Sequence, residues 1–460
     1  DFQCLAENMG ATYQKAQAQK NTDDGVLRTY RLALASTGEY SLYHIEKEGI
    51  SNGTDEEKKA VVLAAMTTAM TRVNALYEND LAISMQLVAN NDDIIYLDPN
   101  TDPYTNLDVS AMLDENQTNL DKVIQAGNYD IGHVFGTSPD AVAYKSVVCR
   151  DGSKAGGVTG SPIPDGDNFY FDVVAHEMGH QFGASHTFNG DDGSCGMNGQ
   201  RNPETAVEPG SGSTIMAYAG YCLSQNVQAH SDLYFHIISI EEIRAYVTSG
   251  TGSNCPAITN LVTNNNIPVA DAGQDFTLPK GTPFKLVGDG SDADGDPISF
   301  CWEQTDIGVT IVPPSATATS GALFRSQNPT TSSERFFPQF KTLINGVVSS
   351  TWEVIPEVTR EINFRLTVRD NNAEAGQVVS DDLLVSVTDA AGPFLVTSQN
   401  SEDLVWTANS SETITWDVAG TNANGINVSR VNILLSVDGG KTFSTTLAAN
   451  VANDGNQVIT

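Results

Sequence analysis

Basic residues are scarce in this chain: 24 Lys and Arg face 57 Asp and Glu, a formal net charge of −33 at pH 7. So acidic a surface repels nucleic acid and anionic membranes, which argues against both as partners and leaves solubility as the plain reading of the charge. Long apolar runs are missing as well, and none approaches the 18 or more residues that a membrane-spanning helix needs. The six cysteines (Cys4, Cys149, Cys195, Cys222, Cys255 and Cys301) include no CxxC pair, which speaks against thiolate metal clusters and thioredoxin-like redox motifs. The chain opens at Asp1 without a basic start followed by an apolar stretch. This reads as a processed, secreted form whose targeting segment has been removed.

An even cysteine count in an exported protein favours disulfides. Cys195 and Cys222 bracket one loop and are paired first; Cys4 with Cys149 and Cys255 with Cys301 complete one of about fifteen possible connectivities. A disulfide partner is preferred for Cys4 over a remnant of a metal-blocking segment.

At 460 residues the chain exceeds one ordinary core, so two to four domains are expected. Arg28–Ala35 alternates polar and apolar side chains and reads as a half-buried strand. Thr54 and Glu57 form a capping box ahead of a helical pattern that continues to about Tyr77. Leu81–Val88 reads as a strand, residues 108–125 as a helix and Tyr129–Phe135 as a third strand. Ser239 and Glu242 suggest another capping box, for a helix ending near Val247, after which a polar, glycine-containing stretch reads as a linker. The expected division is 1–255, then 266–389 and 392–460, both β-rich, the last of them cut short.

Three of the seven histidines fall in HEMGHQFGASH, residues 176–186. Four residues apart on a helix, His176 and His180 share one face and can present two imidazoles to one ion. Glu177 points beside that ion and is placed to hold a water rather than to ligate. Gly183 can take a left-handed conformation, ending the helix and returning His186 towards the same ion. Three neutral nitrogens leave a fourth position open, as in catalytic rather than structural zinc sites. Packing histidines on a core helix are the plainer alternative, but the fixed positions of Gly183 and His186 weigh against chance.

Downstream, GSTIMAYAG carries Met216 and, two positions later, Tyr218. HExxHxxGxxH followed by such a methionine turn is the metzincin signature. Residues 1–255 resemble a reprolysin/adamalysin-type metzincin of the secreted bacterial kind, which implies an α/β domain with a twisted mixed sheet and an active-site helix. The resemblance further implies that His176, His180 and His186 bind zinc, that Glu177 is the general base, and that Met216 floors the metal site. Tyr218 departs from typical adamalysins. Astacins, serralysins and pappalysins have a tyrosine there, which gives Tyr218 a catalytic role, stabilising charge that develops at the reacting carbonyl, or else that of a buried packing phenol. Residues 266–389, with the Asp-Gly-Asp turn at 294–296, Trp302 and LTVRDN at 366–371, resemble a PKD-like immunoglobulin-type sandwich.

Lys154–Gly160 is rich in small residues, and Gly156, Gly157 and Val158 are expected at a sheet edge that holds an extended peptide substrate; a flexible loop is the alternative. Asp289, Asp292, Asp294 and Asp296 suggest a calcium loop or, by default, solvated turn carboxylates. Asp191 and Asp192 are read with the same caution. His230, His236, His133 and His44 are expected to be structural. The leading expectation is therefore a zinc endopeptidase acting on proteins or peptides. A surface adhesin with a zinc-stabilised relic domain is the alternative, which the presence of Glu177 disfavours, and an amidase acting on a non-protein substrate stays open.

Overall fold

The computed structural model describes residues 23–197, 199–261, 265–401, 404–407, 409–440 and 442–460, together with the backbone of a two-residue strand at Glu7–Asn8. Its first part is a mixed α/β unit built on a seven-stranded sheet. The strands are β1 (Glu7–Asn8), β2 (Val26–Ser36), β3 (Ile83–Leu87), β4 (Ile131–Gly136), β5 (Ala141–Lys145), β6 (Gly157–Gly160) and β7 (Ala257–Asn260). They lie in the order β1-β5-β6-β4-β2-β3, with β7 paired to the first half of β2. Strands β2, β3, β4 and β6 run parallel, while β5 and β7 are antiparallel to their neighbours β6 and β2.

The period-two pattern of β2 divides its side chains between two cores. Tyr30, Leu32 and Leu34 face the cluster that includes Val174, Ala175 and Met178, and Ala33 and Ala35 face the cluster around Met112, Leu113 and Leu120. The strand was expected to be half-buried. From Leu32 to Ser36 it is buried on both faces, because α3 (Val109–Val123) covers the side that a bare sheet would leave to water.

Helix α1 (Gly38–Lys47) is followed by α2 (Asp55–Leu81), which opens on the expected capping box of Thr54 and Glu57. By length and composition alone α2 could cross a membrane. Its Asp55-Glu56-Glu57-Lys58-Lys59 start, and the burial of Val62, Met66, Ala69, Met70, Val73 and Tyr77 along one side, mark it as a helix packed on a core.

Three expectations are corrected here. The last helix of this unit, α5 (Ile237–Ser249), begins before Ser239; its cap is His236, whose Nδ1 accepts the Ile238 amide hydrogen, and Glu242 is engaged elsewhere. Cys149 pairs with Cys255, with Cα atoms 5.6 Å apart, while Cys301 is buried in the following unit with no disulfide partner among the described residues. The reason is topological: the Cys255 segment runs back to the first sheet as β7, so it meets Cys149 and not the later strand. Cys4 lies outside the described residues. The pair Cys195–Cys222 forms as expected.

The rest of the described chain is β-rich, with one short helix at Phe340–Leu343. Strands β8 (Val269–Asp271), β9 (Phe276–Pro279), β10 (Phe284–Val287), β11 (Asp289–Ser291), β12 (Ser299–Gln304), β13 (Glu334–Phe337), β14 (Arg360–Arg369) and β15 (Val378–Thr388) form small sheets, the largest ordered β12-β14-β15-β9. They share one core, in which Trp302, Phe337, Phe364 and Leu366 are buried. A third group of strands, Leu395–Val396, Glu412–Asp417, Arg430–Leu435, Thr445–Ala452 and Asn456–Ile459, has a smaller core around Ile414 and Trp416.

The first two units are docked on each other. Arg369, in β14, forms a buried ion pair with Asp80 near the end of α2, Nε to Oδ1 at 2.8 Å. Arg365 pairs with Glu241 of α5, Val378 joins the core of the first unit, and its amide donates to Asp23 at 3.0 Å. The polar stretch expected as a free linker is therefore drawn into the first sheet and into a continuous interface.

Candidate metal centre

A π-helical segment, Asn168–Ala175, passes without interruption into α4 (His176–Gln181). Such wide turns are rare in regular helices and recur at functional sites. The apolar run FYF-VVA buries this helix against α2 and the sheet, and every residue of α4 is buried. Gly183 has φ +104°, which stops the helix; its amide donates to His180 O and that of Ala184 to Gly179 O. Three residues later His186 arrives at the first two histidines.

The three Nε2 atoms converge. His176 lies 3.2 Å from His186 and 3.1 Å from His180, and His180 lies 3.0 Å from His186. A tetrahedral ion with arms of 2.0–2.1 Å has ligand edges of about 3.3 Å, so these atoms are set for one small cation. Each Nδ1 faces a backbone carbonyl: Ile215 O at 2.7 Å for His176, Ala184 O at 2.8 Å for His180 and Gln200 O at 2.6 Å for His186. A carbonyl only accepts, so Nδ1 carries the hydrogen and each Nε2 lone pair points inward. Burial pushes the His176 pKa down to about 4 and those of His180 and His186 well below the ordinary histidine value, with their neighbouring imidazoles adding to the effect. Neutral donors, oriented by a second layer of carbonyls, fit a metal ion.

Glu177 is buried on the same helix. Beneath the helix, Met216 packs so tightly that a Cβ on Gly179 would come within 2.4 Å of its Sδ, so the glycine of HEMGH makes room for the methionine. Tyr218 stands beside the site, its ring centre 4.6 Å from that of His186 and its hydroxyl donating to Gln200 Oε1 at 2.8 Å.

Several residues that hold this arrangement were not tied to it by the sequence. Gln200 serves both His186 and Tyr218. Glu208, fully buried, accepts from Thr187, Thr214 and the Ser213 amide, which ties the segment after His186 to the methionine turn. Glu242 accepts from the Ser185 amide at 2.7 Å and from Lys145 at 3.2 Å, fixing the residue next to His186. Gln200 and Glu208 belong to no contiguous motif and lie in loops, while Glu242 sits on α5, where its spacing from Ser239 pointed to a cap instead.

The expected sheet edge at Gly156, Gly157 and Val158 is corrected. Gly157–Gly160 is an interior strand, paired with β5 on one side and β4 on the other, so its backbone groups are already used. The small residues answer to packing: a Cβ at Gly156 would meet Tyr144 at 2.3 Å, and one at Gly157 would meet His133 at 2.4 Å and Gln181 at 2.5 Å. His133 bridges Gln181 and Thr159, His44 packs on Tyr40, and His230 faces Asp172, all away from the three-histidine group. Asp292, Asp294 and Asp296 bring carboxylate oxygens within 4.8 Å of one another, with Asp292 accepting from the amides of the other two; Asp289 instead accepts the Gly290 amide. Asp192 accepts from Ser224 and Asp191 from Gln225, both pairs just outside the loop closed by Cys195–Cys222.

Residues 26–243 match the family model described as metallo-peptidase family M12B, reprolysin-like. The three histidines and the methionine turn fall inside the matched span. Comparison of the chain with curated proteins and with solved structures gives no match.

Proposed function

We propose that the chain is a secreted zinc-dependent endopeptidase whose active site is built by His176, His180, His186 and Glu177, with Tyr218 assisting. The observation that carries this reading is the convergence of three neutral imidazoles, each with its Nδ1–H engaged by a carbonyl, inside a span that matches a metallopeptidase family. Zinc, when bound, supplies a Lewis acid that polarises the scissile carbonyl and lowers the pKa of water towards about 7. Glu177 takes the proton from the attacking water on its carboxylate and delivers it to the leaving amine. Tyr218, once its hydroxyl leaves Gln200, donates to the oxygen on which negative charge develops.

The substrate is held as an extended strand. With β6 interior to the sheet, the strand beyond it is β5, beside α4, whose outer side is paired with the two-residue β1 only at Tyr144 and Lys145. A peptide adding to the same edge would pair through its backbone and run past the histidines. The two disulfides support an oxidising, extracellular location. The unit of residues 266–389 is read as a PKD-like immunoglobulin-type sandwich on the strength of its three small sheets sharing one core with buried Trp302, and residues 392–460 as a further β domain.

Digestion of denatured casein, with and without a chelator and with zinc added back, tests this. Cleavage that disappears on chelation, returns with zinc and falls by several orders of magnitude in Glu177→Ala supports the reading. A metal-loaded Glu177→Ala protein that still cleaves would remove Glu177 from its role, and an inert parent chain would sink the peptidase reading.

A further inference from the structure

The β-rich unit after the metal site reaches that site through a short relay. Segment 232–235 lies alongside the methionine turn: the Asp232 amide donates to Ser213 O at 2.7 Å and the Ile215 amide to Tyr234 O at 3.2 Å. Ile215 O is the carbonyl that accepts Nδ1–H of His176 at 2.7 Å. A single peptide group, Tyr234–Phe235, thus turns its carbonyl to the methionine turn. Its N–H turns the other way, to Asp80 Oδ2 at 2.8 Å.

Asp80 is held there by Arg369 of β14, which also donates to Phe235 O at 3.1 Å; both charged side chains are 1% exposed. The same segment is gripped at its two ends. Asn328 donates to Asp232 at 2.7 Å, and Glu303, buried in β12, accepts the Ile237 amide at 3.2 Å and the Thr367 hydroxyl at 3.0 Å. The Phe235 ring meanwhile packs edge-on against Tyr77, 5.2 Å between centres, and lies 3.5 Å from where a Cβ of Gly179 would stand.

Stability alone does not account for such a pair. Replacing a buried ion pair by apolar side chains of similar size is often neutral or stabilising, because desolvation offsets the attraction. What apolar replacements would not supply is the two hydrogen bonds to Phe235: Asp80 accepts the N–H of the Tyr234–Phe235 peptide, and Arg369 donates to the carbonyl of the peptide that follows. We propose that Arg369 and Asp80 are positioning residues for the metal site: through that peptide and Ile215 they set the orientation of His176, so that the second unit is part of the machinery that the first was expected to contain whole. This rests on the zinc-peptidase reading for its effect on turnover, but not for its effect on metal binding.

The test uses the full chain. Asp80→Leu with Arg369→Met removes the charges together, leaves none buried alone, and should fold, with a melting temperature lowered only by the unpaired Phe235 amide. Zinc affinity, measured by chelator competition, is expected to fall about 10- to 100-fold, the range for lost outer-layer support. The absorption spectrum of the cobalt-substituted protein should shift, and kcat should drop with little change in KM, while Arg369→Lys restores part of each. Parental zinc affinity and an unchanged cobalt spectrum in the folded double variant would overturn the proposal. Should the double variant not fold, amide hydrogen exchange in the parent decides: Ile215 and Phe235 are expected to open together, and an Ile215 amide that stays protected while Phe235 exchanges would overturn it. An inert parent that binds zinc overturns the peptidase reading alone, since the titrations need no turnover.

Discussion

Gln200 binds two partners of the site at once: its side-chain oxygen accepts the hydroxyl of Tyr218 at 2.8 Å, and its backbone carbonyl accepts Nδ1–H of His186 at 2.6 Å. The phenol is therefore already oriented by a residue that also orients His186, and in the proposed reaction its hydroxyl is held by Gln200 until charge on the substrate competes for it. Tyr218→Phe keeps the ring packing on Phe188 and His186. It is expected to lower kcat about tenfold to a hundredfold with KM nearly constant, equivalent to about 1.4–2.7 kcal/mol. Losing the bond to Gln200 costs stability of only about 1 kcal/mol. Unchanged turnover in a folded variant would leave Tyr218 a packing residue.

Gly179 sets two magnitudes against each other. Alanine gains about 1 kcal/mol of helix propensity over glycine. Its Cβ would sit 2.4 Å from Met216 Sδ, however, and crowding a packed core costs about 1–3 kcal/mol. The clash should win, pushing Met216 from beneath the helix. Gly179→Ala is therefore expected to melt lower than the parent and to release zinc to weaker chelators; thermal melts and chelator competition check both.

How far the sequence alone carried follows from where the information lies. The three-histidine group was legible because a helix converts the spacing of His176 and His180 into adjacency, and because Gly183 marks the turn to His186. Strands β2, β3 and β4 and helices α2 and α3 were legible from periodicity and the cap at Thr54. The edge was misjudged because small residues such as Gly157 look alike whether they expose a backbone or make room for His133 and Gln181. The cap at Ser239 failed for a similar reason: Glu242 had a stronger partner in Ser185, brought near only by the fold. Gln200, Glu208 and the Asp80–Arg369 pair were out of reach because their roles depend on contacts across tens to hundreds of residues.

That last pair changes what a shortened chain should do. A protein ending near residue 255 reads from sequence as a complete catalytic unit, but it lacks β7 and exposes the face covered by Val378, Arg365 and Arg369. Asp80 would regain water, so the loss is not the penalty of an unpaired buried charge; it is the lost burial of Val378 and the freed Tyr234–Phe235 peptide. Such a chain is expected to melt well below the parent and to cleave short peptides at under a tenth of its rate. Cleavage at the parental rate would show that the first unit is self-sufficient.

His133 supplies a pH dependence whose sign can be worked out. It lies fully buried in β4, with Nδ1 2.8 Å from Gln181 Oε1 and Nε2 2.7 Å from Thr159 Oγ1. Gln181 Nε2 donates to Gly132 O, so its Oε1 must be the acceptor and Nδ1 of His133 carries the hydrogen, which leaves Nε2 to accept from Thr159. Burial holds the ring neutral, with its pKa down to about 4. The unfolded chain has an ordinary histidine near 6.5 and takes up a proton as the pH falls through that value, while the folded chain does not. Stability attributable to His133 is therefore whole above pH 6.5 and declines as the pH drops towards 4, by about 3 kcal/mol in total. His133→Gln removes the titration while keeping a polar side chain in the same space. Urea unfolding of both proteins at several pH values isolates the residue, because the other histidines cancel in the difference. The variant should be the less stable of the two at pH 7, and the gap should close by about 2–3 kcal/mol by pH 4.5. A gap that stays constant with pH would mean that His133 is not held neutral by its surroundings.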